Sequence, residues 1–329
     1  MCKTTPIADA TAPPGTLRRS ARPRITVIVL LGLVAIAWLI GQLFRDRYWV
    51  TGVAFYIPSV AVALLAALVC LWERWRGRVT LAIVALLFAM PPSVMAFFVE
   101  NHGLFRGPTD DGEALSNSYI RLVHWNVCWG RIGWPSIVDR LEELQPDIVV
   151  ISERPAPELI QQLLDRLGPE FHVFDHHKVS VVARGDMDRA KCLLQVRNGE
   201  VYVSDWHYAG RSLRIMTADL ASSIMLHRDP LLKEVMGFVD QHQPDLVVGD
   251  FNAPRRSRHL SQLPTGYCHA YDAVGRGSGY TWPVPFPVYS LDQLICRSEI
   301  VPRRYRLLAD RGSDHCGQVF DFQWNQASK

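Results

Sequence analysis

The pattern of apolar and polar positions divides the chain into two parts. Residues 25–44, 51–72 and 79–99 are apolar stretches, each about as long as the 20 residues that a membrane-spanning helix needs. None of the three contains a charged side chain, whereas helices of soluble proteins keep one polar face. The pattern therefore predicts a three-helix transmembrane anchor over residues 25–99, with the third helix kinked at Pro91-Pro92.

The distribution of basic residues predicts how these helices are oriented. Five basic residues precede the first helix and three lie between the second and third, whereas the first loop holds only Arg45 and Arg47. The positive-inside rule then keeps the amino terminus in the cytoplasm and carries the chain outside from residue 100 onward. We expect a multi-pass protein of the cell (inner) membrane, embedded in the lipid bilayer, whose residues 1–24 form a disordered cytoplasmic tail.

The rest of the chain alternates between short apolar runs and amphipathic segments. Residues 100–118 are rich in Gly, Pro, Asn and acidic residues, which predicts a linker. Apolar residues at helical spacing predict helices at 136–145, 156–168 and 230–243. Strands are predicted at 119–127, 146–153, 171–174, 179–184, 192–196, 201–206, 213–220, 246–248, 289–296 and 319–324. Residues 119–329 are therefore expected to form a domain of both helices and strands.

Polar side chains follow the ends of several predicted strands. The clearest case is the run from Pro244 to Asn252, where an apolar strand ends in Gly-Asp-Phe-Asn. Side chains alternate along a strand, so Asp250 and Asn252 are expected to project together. Other strands deliver similar groups, namely Asn126, Glu153, Asp292, and the pair Asp314-His315. Any one of these residues is compatible with a turn or a cap, but their combination predicts an active site.

This order of residues resembles the endonuclease/exonuclease/phosphatase superfamily of DNase I-like proteins, in a membrane-anchored, bacterial-type member. The resemblance covers roughly residues 119–325. It rests on five short motifs, His124-Trp-Asn126, Ile151-Ser-Glu153, Gly249-Asp-Phe-Asn252, Leu291-Asp292 and Ser313-Asp-His315. It implies an α+β fold, a four-layer α/β/β/α sandwich of two packed mixed sheets, with the site at one end of the sheets.

The resemblance also implies a divalent cation, Mg²⁺ or Mn²⁺. A phosphodiester is anionic, so a carboxylate-rich site can receive it only with a cation between them, and oxygen ligands suit these two metals. By analogy with the family, Glu153 would be the main metal ligand, with Asn126 beside it. Asp314 would steady the attacking water or a second metal.

The remaining motif residues would act on the substrate, again by analogy with the family. Asp250 would orient and deprotonate the attacking water, and Asn252 would donate hydrogen bonds to the phosphoryl oxygens. His315, held by Asp292, would contact the phosphate as negative charge builds on it. The implied reaction is metal-assisted in-line displacement at phosphorus.

One position departs from the family pattern. The strand from Arg214 to Leu220 occupies the place of a Thr-x-His-Leu motif, and Asp219 stands where the family has its histidine. An ionised aspartate cannot donate the hydrogen bond that this histidine gives to the scissile phosphate. We therefore expect Asp219 to be held by a cation, either a metal or an arginine such as Arg228, with a cap on the following turn as the alternative.

The leading hypothesis is a membrane-anchored, metal-dependent phosphodiesterase or phosphatase whose catalytic domain lies outside the cytoplasm. Its substrate is expected to be a phosphate ester, either a phospholipid head group, a small phosphodiester or a nucleic acid. The net charge of +3 is too small to indicate a strongly basic nucleic-acid-binding surface, although an extracellular nuclease stays open. The alternative from another class is a non-catalytic pseudoenzyme that binds an anionic ligand, and no protein partner is predicted.

Three arginines follow the central motif directly. Arg255, Arg256 and Arg258 are compatible with a solvated helix face or with a grip on a second phosphate group, and the sequence leaves both interpretations open.

Overall fold

The computed structural model describes residues 22–107, 119–197 and 199–324. Its amino-terminal helices are α1 (Arg22–Phe44), α2 (Trp49–Phe55), α3 (Ser59–Trp75) and α4 (Val79–Val94). The segments Thr26–Phe44 and Val79–Glu100 are each long and apolar enough to cross a membrane. The bent pair α2 and α3 adds a third crossing if it counts as one span. The prediction of apolar helices long enough to span a membrane is thus confirmed for two or three of them.

The amino-terminal region also contains a bend that the sequence analysis did not predict. Helix α4 runs through Pro91 and Pro92 and continues as a π-helix, Met95–Glu100. The sharp bend, of 59°, separates α2 from α3 instead. Pro58 explains its position, because proline has no backbone N–H to donate and keeps the residue before it out of the helical conformation.

Beyond residue 119 the chain forms two sheets. In spatial order the first contains β12 (Ile300–Leu308), β13 (Gly317–Trp324), β1 (Ile120–Asn126), β2 (Ile148–Ser152), β4 (Val179–Arg184) and β3 (Phe171–His176). The second contains β10 (Tyr267–His269), β11 (Asp292–Arg297), β9 (Leu246–Asp250), β8 (Arg211–Leu220), β7 (Gly199–Tyr208) and β5 (Asp186–Met187), with β6 (Lys191–Val196) also paired to β7. The pairs β1–β2 and β8–β9 are parallel and the others antiparallel, so both sheets are mixed.

The layers confirm the predicted sandwich. Apolar side chains of the two sheets, such as Leu122 and Val248, pack face to face in one buried cluster. Helices α5 (Trp134–Leu144) and α6 (Pro157–Leu167) cover the outer face of the first sheet. Helix α7 (Arg228–His242) covers the second sheet, and the short α8 (Ala270–Val274) follows β10. Each helix buries its apolar face against a sheet, as its amphipathic pattern predicts.

The nine-residue strand β12 was missed by the sequence analysis. Its segment contains Pro302 and several arginines and lacks a clear apolar alternation. These residues are tolerated because β12 lies at the edge of its sheet and has β13 as its one neighbouring strand, with a register shift after Pro302.

The first part of the predicted linker is ordered against the domain. Residues His102–Phe105 form a 3-10 turn, and the Gly103 amide donates to the Tyr271 hydroxyl at 3.1 Å. The Arg106 guanidinium donates to backbone carbonyls at the end of α8. The predicted tail up to residue 21 and the linker residues 108–118 lie outside the described residues.

Candidate active site

Strand register brings three predicted carboxylates into one row. Asp219 at the end of β8 lies opposite Asp250 at the end of β9. Asp292 at the start of β11 lies opposite Asp250 on the other side. All three side chains are buried. We call this end of both sheets, which also carries Asn126 at the end of β1, the active-site edge.

Hydrogen bonds fix the central carboxylate. Asp250 Oδ1 accepts the Asn252 amide N–H at 2.8 Å, and Oδ2 accepts the side-chain amides of Asn126 at 2.9 Å and Asn252 at 3.0 Å. The preceding residue has to be glycine, because Gly249 has φ +150° and a Cβ there would lie 1.9 Å from the Ala218 carbonyl oxygen. Close approach of the two parallel strands therefore sets the position of Asp250.

Two carboxyl groups of this row resist ionisation in the absence of a cation. Burial, followed by the charge of Asp250, raises the pKa of Asp219 to about 8. Burial, followed by the charge of Asp292, raises the pKa of Asp250 to about 7. The Glu153 backbone amide donates to Asp219 Oδ2 at 3.2 Å. Arg228 donates to the Ala221 carbonyl instead, so the expected pairing of Asp219 with this arginine was wrong.

Asp292 and His315 form a buried charged pair. His315 Nδ1 lies 2.9 Å from Asp292 Oδ2, as predicted from the resemblance. Burial opposes both charges, but their attraction lowers the pKa of Asp292 and raises that of His315 to about 10. His315 Nε2 points toward Asp250, 4.0 Å from Oδ2. Donor atoms of Asp250, Asp292 and His315 lie within 4.8 Å of one another, close enough to share a metal ion.

The three residues predicted as metal ligands approach the same place. Glu153 follows β2 in a left-handed conformation, with φ 46°, and both it and Asp314 line the cavity described below. The pKa of Cys128 is raised by burial and by the charges of Asp314 and Glu153, so both carboxylates lie near this thiol. Asn126 Oδ1 accepts the Cys128 amide at 3.0 Å and keeps one lone pair for a cation.

The charge balance of the site fits a divalent cation. Among the described residues, the carboxylates of Glu153, Asp219, Asp250 and Asp314 form no ion pair with lysine or arginine. Asp292 Oδ1 is in addition a buried oxygen without a hydrogen-bond partner. Buried carboxylates are stable in the charged form only when a positive charge compensates them. A cation that accepts oxygen ligands supplies that charge, and the donor set is the one preferred by Mg²⁺ or Mn²⁺.

A cavity of about 400 Å³ opens beside these groups. Its lining includes Glu153, Asp250, Asn252, Asp314 and His315, so five of the eight predicted site residues face one space. The other three lie one contact behind it: Asn126 and Asp292 contact Asp250 and His315, and Asp219 contacts Glu153.

The predicted site did not include several residues that line the cavity. Trp282 lines the cavity, and its indole N–H donates to Asp314 Oδ2 at 3.1 Å. Tyr56 also lines the cavity, although it lies in the bend between α2 and α3. Its hydroxyl donates to the Asn252 carbonyl at 2.7 Å, and its own carbonyl accepts the Tyr289 hydroxyl at 2.7 Å. An apolar stretch gives no sequence signal that one of its tyrosines reaches a distant site.

The three arginines after the central motif bind the amino-terminal helices. They lie in a loop of turns rather than on a helix face. Arg255 donates to the Glu100 carbonyl at 2.7 Å, and Arg256 contacts the side chains of Gln42 and Glu100. The Arg258 amide donates to Asp46 Oδ1 at 2.7 Å. The guanidinium groups of Arg255 and Arg256 are therefore occupied by the amino-terminal segment, whereas that of Arg258 is 40% exposed and lies 3.4 Å from Asp229.

The fold and the site together define a class: two-sheet α+β sandwiches with a site of carboxylate, carboxamide and histidine side chains at one end of the sheets. Residues 123–315, more than half of the chain, match the sequence model of the Endonuclease/Exonuclease/phosphatase family. The chain belongs to this family, as the motifs indicated. Among curated proteins, none matches the chain by sequence.

Solved structures support the same fold. Humanised TDP2 from D. rerio is 19% identical with a TM-score of 0.53, and the match covers 62% of this chain and 99% of that one. D. rerio TDP2 complexed with single-strand DNA product is 20% identical with a TM-score of 0.51, covering 63% and 100%. The mannosyl-6-phosphatase of Bacteroides thetaiotaomicron is 12% identical with a TM-score of 0.52, covering 62% and 100%. At these identities the likeness shows the fold alone.

Proposed function

We propose that this protein is a membrane-anchored phosphoric ester hydrolase that depends on a divalent metal and acts outside the cytoplasm. The observation that carries the proposal is the convergence on one cavity of Glu153, Asp250 and Asp314, which form no ion pair with lysine or arginine, and of His315, which is paired with Asp292. A family member that keeps these groups in hydrogen-bonded positions retains the parts needed for catalysis, which favours an enzyme over a pseudoenzyme.

The proposed chemistry is attack of water on phosphorus. The water oxygen bonds to phosphorus, the P–O ester bond breaks, and the leaving oxygen takes up a proton. Asp250, oriented by Asn126 and Asn252, accepts the proton of the water. His315 is kept protonated by Asp292 and presents Nε2–H to a phosphoryl oxygen.

Three residues would hold the metal in this proposal. Glu153, Asn126 and Asp314 provide oxygen ligands, and Asp219 steadies Glu153 through its backbone amide. The metal, Mg²⁺ or Mn²⁺, supplies positive charge opposite the phosphoryl oxygens and lowers the pKa of bound water. The cavity's negative side chains would otherwise repel an anionic ester.

The test is hydrolysis by the full chain in non-ionic detergent. With bis(p-nitrophenyl) phosphate and p-nitrophenyl phosphate as probes, chelator should abolish turnover and Mg²⁺ or Mn²⁺ should restore it. Asp250→Ala and His315→Ala should each lower kcat at least about 10²-fold, the usual scale for a general base or an oxyanion donor. Glu143→Ala, which removes an exposed carboxylate from α5, is the matched control. Turnover that survives chelator, or an Asp250→Ala variant as fast as wild type, refutes the proposal.

The contacts of the amino-terminal helices support three membrane crossings. Arg256 contacts both Gln42, near the end of α1, and Glu100, at the end of the Val79–Glu100 segment. Both segments therefore run toward the domain, so that Phe44 and Val79 lie at opposite ends of the helices. Helix α3 returns the chain between them, and Ser59 at its start donates to Glu100 at 2.9 Å. We accordingly place the anchor at residues 25–99 and the catalytic domain at 119–329, outside the inner membrane.

A further inference from the structure

Exposed large apolar side chains of the catalytic domain are concentrated at one end. In the described part of residues 119–324 they are Trp129, Ile132, Val196, Ile224, Met225 and Phe286. The first two follow β1, Val196 ends β6 beside the end of β8, the next two follow β8, and Phe286 precedes β11. Every one of these positions belongs to the active-site edge. Phe286 is 82% exposed and Met225 is 59% exposed. Contact of these apolar side chains with water is unfavourable in free energy.

The amino-terminal helices contribute a wall of the active-site cavity. Tyr56 lines it and donates to the Asn252 carbonyl. Ser59, where α3 begins, lies three residues further along the chain and contacts Glu100, where the last apolar segment ends. The cavity therefore lies at the level where the apolar helices end. In a membrane this level is the interface, where lipid phosphates are found.

The loop after β8 joins the active-site edge to the same level. Its Met225 carbonyl accepts the indole N–H of Trp49 at 2.9 Å, and His227 Nε2 lies 3.2 Å from the Arg47 carbonyl. Trp49 and Val50 on α2 are themselves exposed apolar side chains. Loop and helix thus form one apolar surface next to the cavity, with the tryptophan that is typical of a membrane interface.

The basic residues nearest the central motif are not free to hold a polyanion. The guanidinium groups of Arg255 and Arg256 donate to Glu100 and Gln42 of the amino-terminal segment, and that of Arg258 faces Asp229 on α7. A long nucleic-acid strand would need such cations along its backbone. A lipid phosphate needs only the cavity itself, because its apolar part remains in the bilayer.

We infer that the substrate of this site is a phosphate ester on a membrane lipid, which enters the cavity from the leaflet next to the active-site edge. The inference rests on the proposed hydrolytic function and adds its substrate class. Met225 and Phe286 contact the bilayer and lower the barrier for a lipid to reach the cavity, while neither residue lines the cavity. A lipid phosphomonoester and a lipid phosphodiester fit this chemistry equally.

The experiment compares substrates and variants on the full chain in non-ionic detergent micelles with Mg²⁺ or Mn²⁺. The lipid probes are phosphatidic acid, a monoester, and phosphatidylglycerol, a diester, each mixed into the micelles. The soluble probes are the two nitrophenyl phosphates and a single-stranded oligonucleotide. Met225→Asp and Phe286→Asp test the apolar edge. Ser298→Asp is the control, because Ser298 is exposed in the turn after β11, at the opposite end of the second sheet.

We expect kcat/KM for at least one lipid to exceed that for every soluble probe about tenfold or more. Each edge variant should lower lipid turnover about tenfold, the scale of one lost apolar side-chain contact, and leave nitrophenyl phosphate turnover unchanged. Ser298→Asp should change neither. Soluble probes cleaved as well as the lipids, an oligonucleotide preference, or edge variants without effect on lipids each overturn the inference while hydrolysis stands. Loss of all metal-dependent turnover refutes the proposed function and the inference with it.

Discussion

At the scale of single residues, the site combines carboxyl groups whose ionised form is disfavoured by burial. Asp219 and Asp250 have pKa values of about 8 and 7 in the folded, metal-free chain, above the ordinary value of 3.8. A pKa raised on folding contributes stability below the unfolded value, and this stability is lost as the pH rises through the folded value. A histidine at position 219, as in the family pattern, would not add the free-energy cost of ionising a buried carboxyl group. A cation near Asp219 would offset this cost, and the charge of Lys178 does so in part.

This argument predicts the pH dependence of stability. In chelator, the Tm of the full chain should fall between pH 5 and pH 8.5, and Asp219→Asn should reduce that fall because one titrating carboxyl is removed. Mg²⁺ should raise the Tm of wild type more at pH 8.5 than at pH 5, since ligands bind metal in the deprotonated form. Thermal unfolding followed by circular dichroism measures all three quantities. An equal fall in wild type and Asp219→Asn would contradict the assignment of the pKa shift to Asp219.

At the scale of secondary-structure elements, the bend between α2 and α3 connects the amino-terminal helices to the catalytic strands. The Tyr56 hydroxyl holds the carbonyl of Asn252, a residue with φ 46°, and Asn252 in turn holds Asp250. A non-glycine residue in this conformation persists only where its surroundings determine it. The bend is thus part of what positions Asp250, the proposed catalytic carboxylate.

Tyr56→Phe is expected to lower kcat about tenfold with KM nearly unchanged. The substitution removes one hydrogen bond, worth about 1 kcal/mol or slightly more, and leaves the Asn252 carbonyl without this partner. Steady-state kinetics with a nitrophenyl phosphate probe separates kcat from KM. Tyr48→Phe, at an exposed tyrosine of the same segment, is the control. A Tyr56→Phe variant with wild-type kcat would show that Tyr56 does not position the site.

At the scale of the whole molecule, the amino-terminal helices and the sandwich share a polar interface. Arg255, Arg256 and Arg258 on the domain meet Glu100, Gln42 and Asp46 on the helices. This interface keeps the active-site edge at the level where the helices end. The position of the domain relative to the membrane then follows from the number of crossings.

Three crossings place the carboxyl terminus outside the cytoplasm. Alkaline phosphatase fused after Lys329 should therefore be active, because it folds only in the oxidising compartment, and a fluorescent protein that matures only in the cytoplasm should stay dark. The opposite pattern would mean that the bent pair α2 and α3 does not cross, and it would place the catalytic domain in the cytoplasm. A fusion after Gly77, between α3 and α4, should report the cytoplasm and serves as the control.

Local patterns in the chain were sufficient for most of the fold. Apolar runs that end in Asn126, Glu153 and Asp250 marked β1, β2 and β9, because strand periodicity and turn chemistry act over a few residues. The edge strand β12 was not predicted, because its polar composition is tolerated only where one side of a strand has no neighbouring strand.

The amino-acid sequence by itself determined the apolar helices, most of the strands and the residue types of the site, and the family resemblance of its motifs implied the two-sheet sandwich. Only the tertiary structure decided which groups meet. The row Asp219, Asp250 and Asp292 depends on strand register, and the use of Tyr56 depends on a bend that lies 196 residues from Asn252. The two arginine interpretations failed for the same reason, because the partners of Arg255 and Arg256 lie in a distant segment. Contacts between segments far apart in the chain leave no local periodic signal, and they fix both the site and its position relative to the apolar helices.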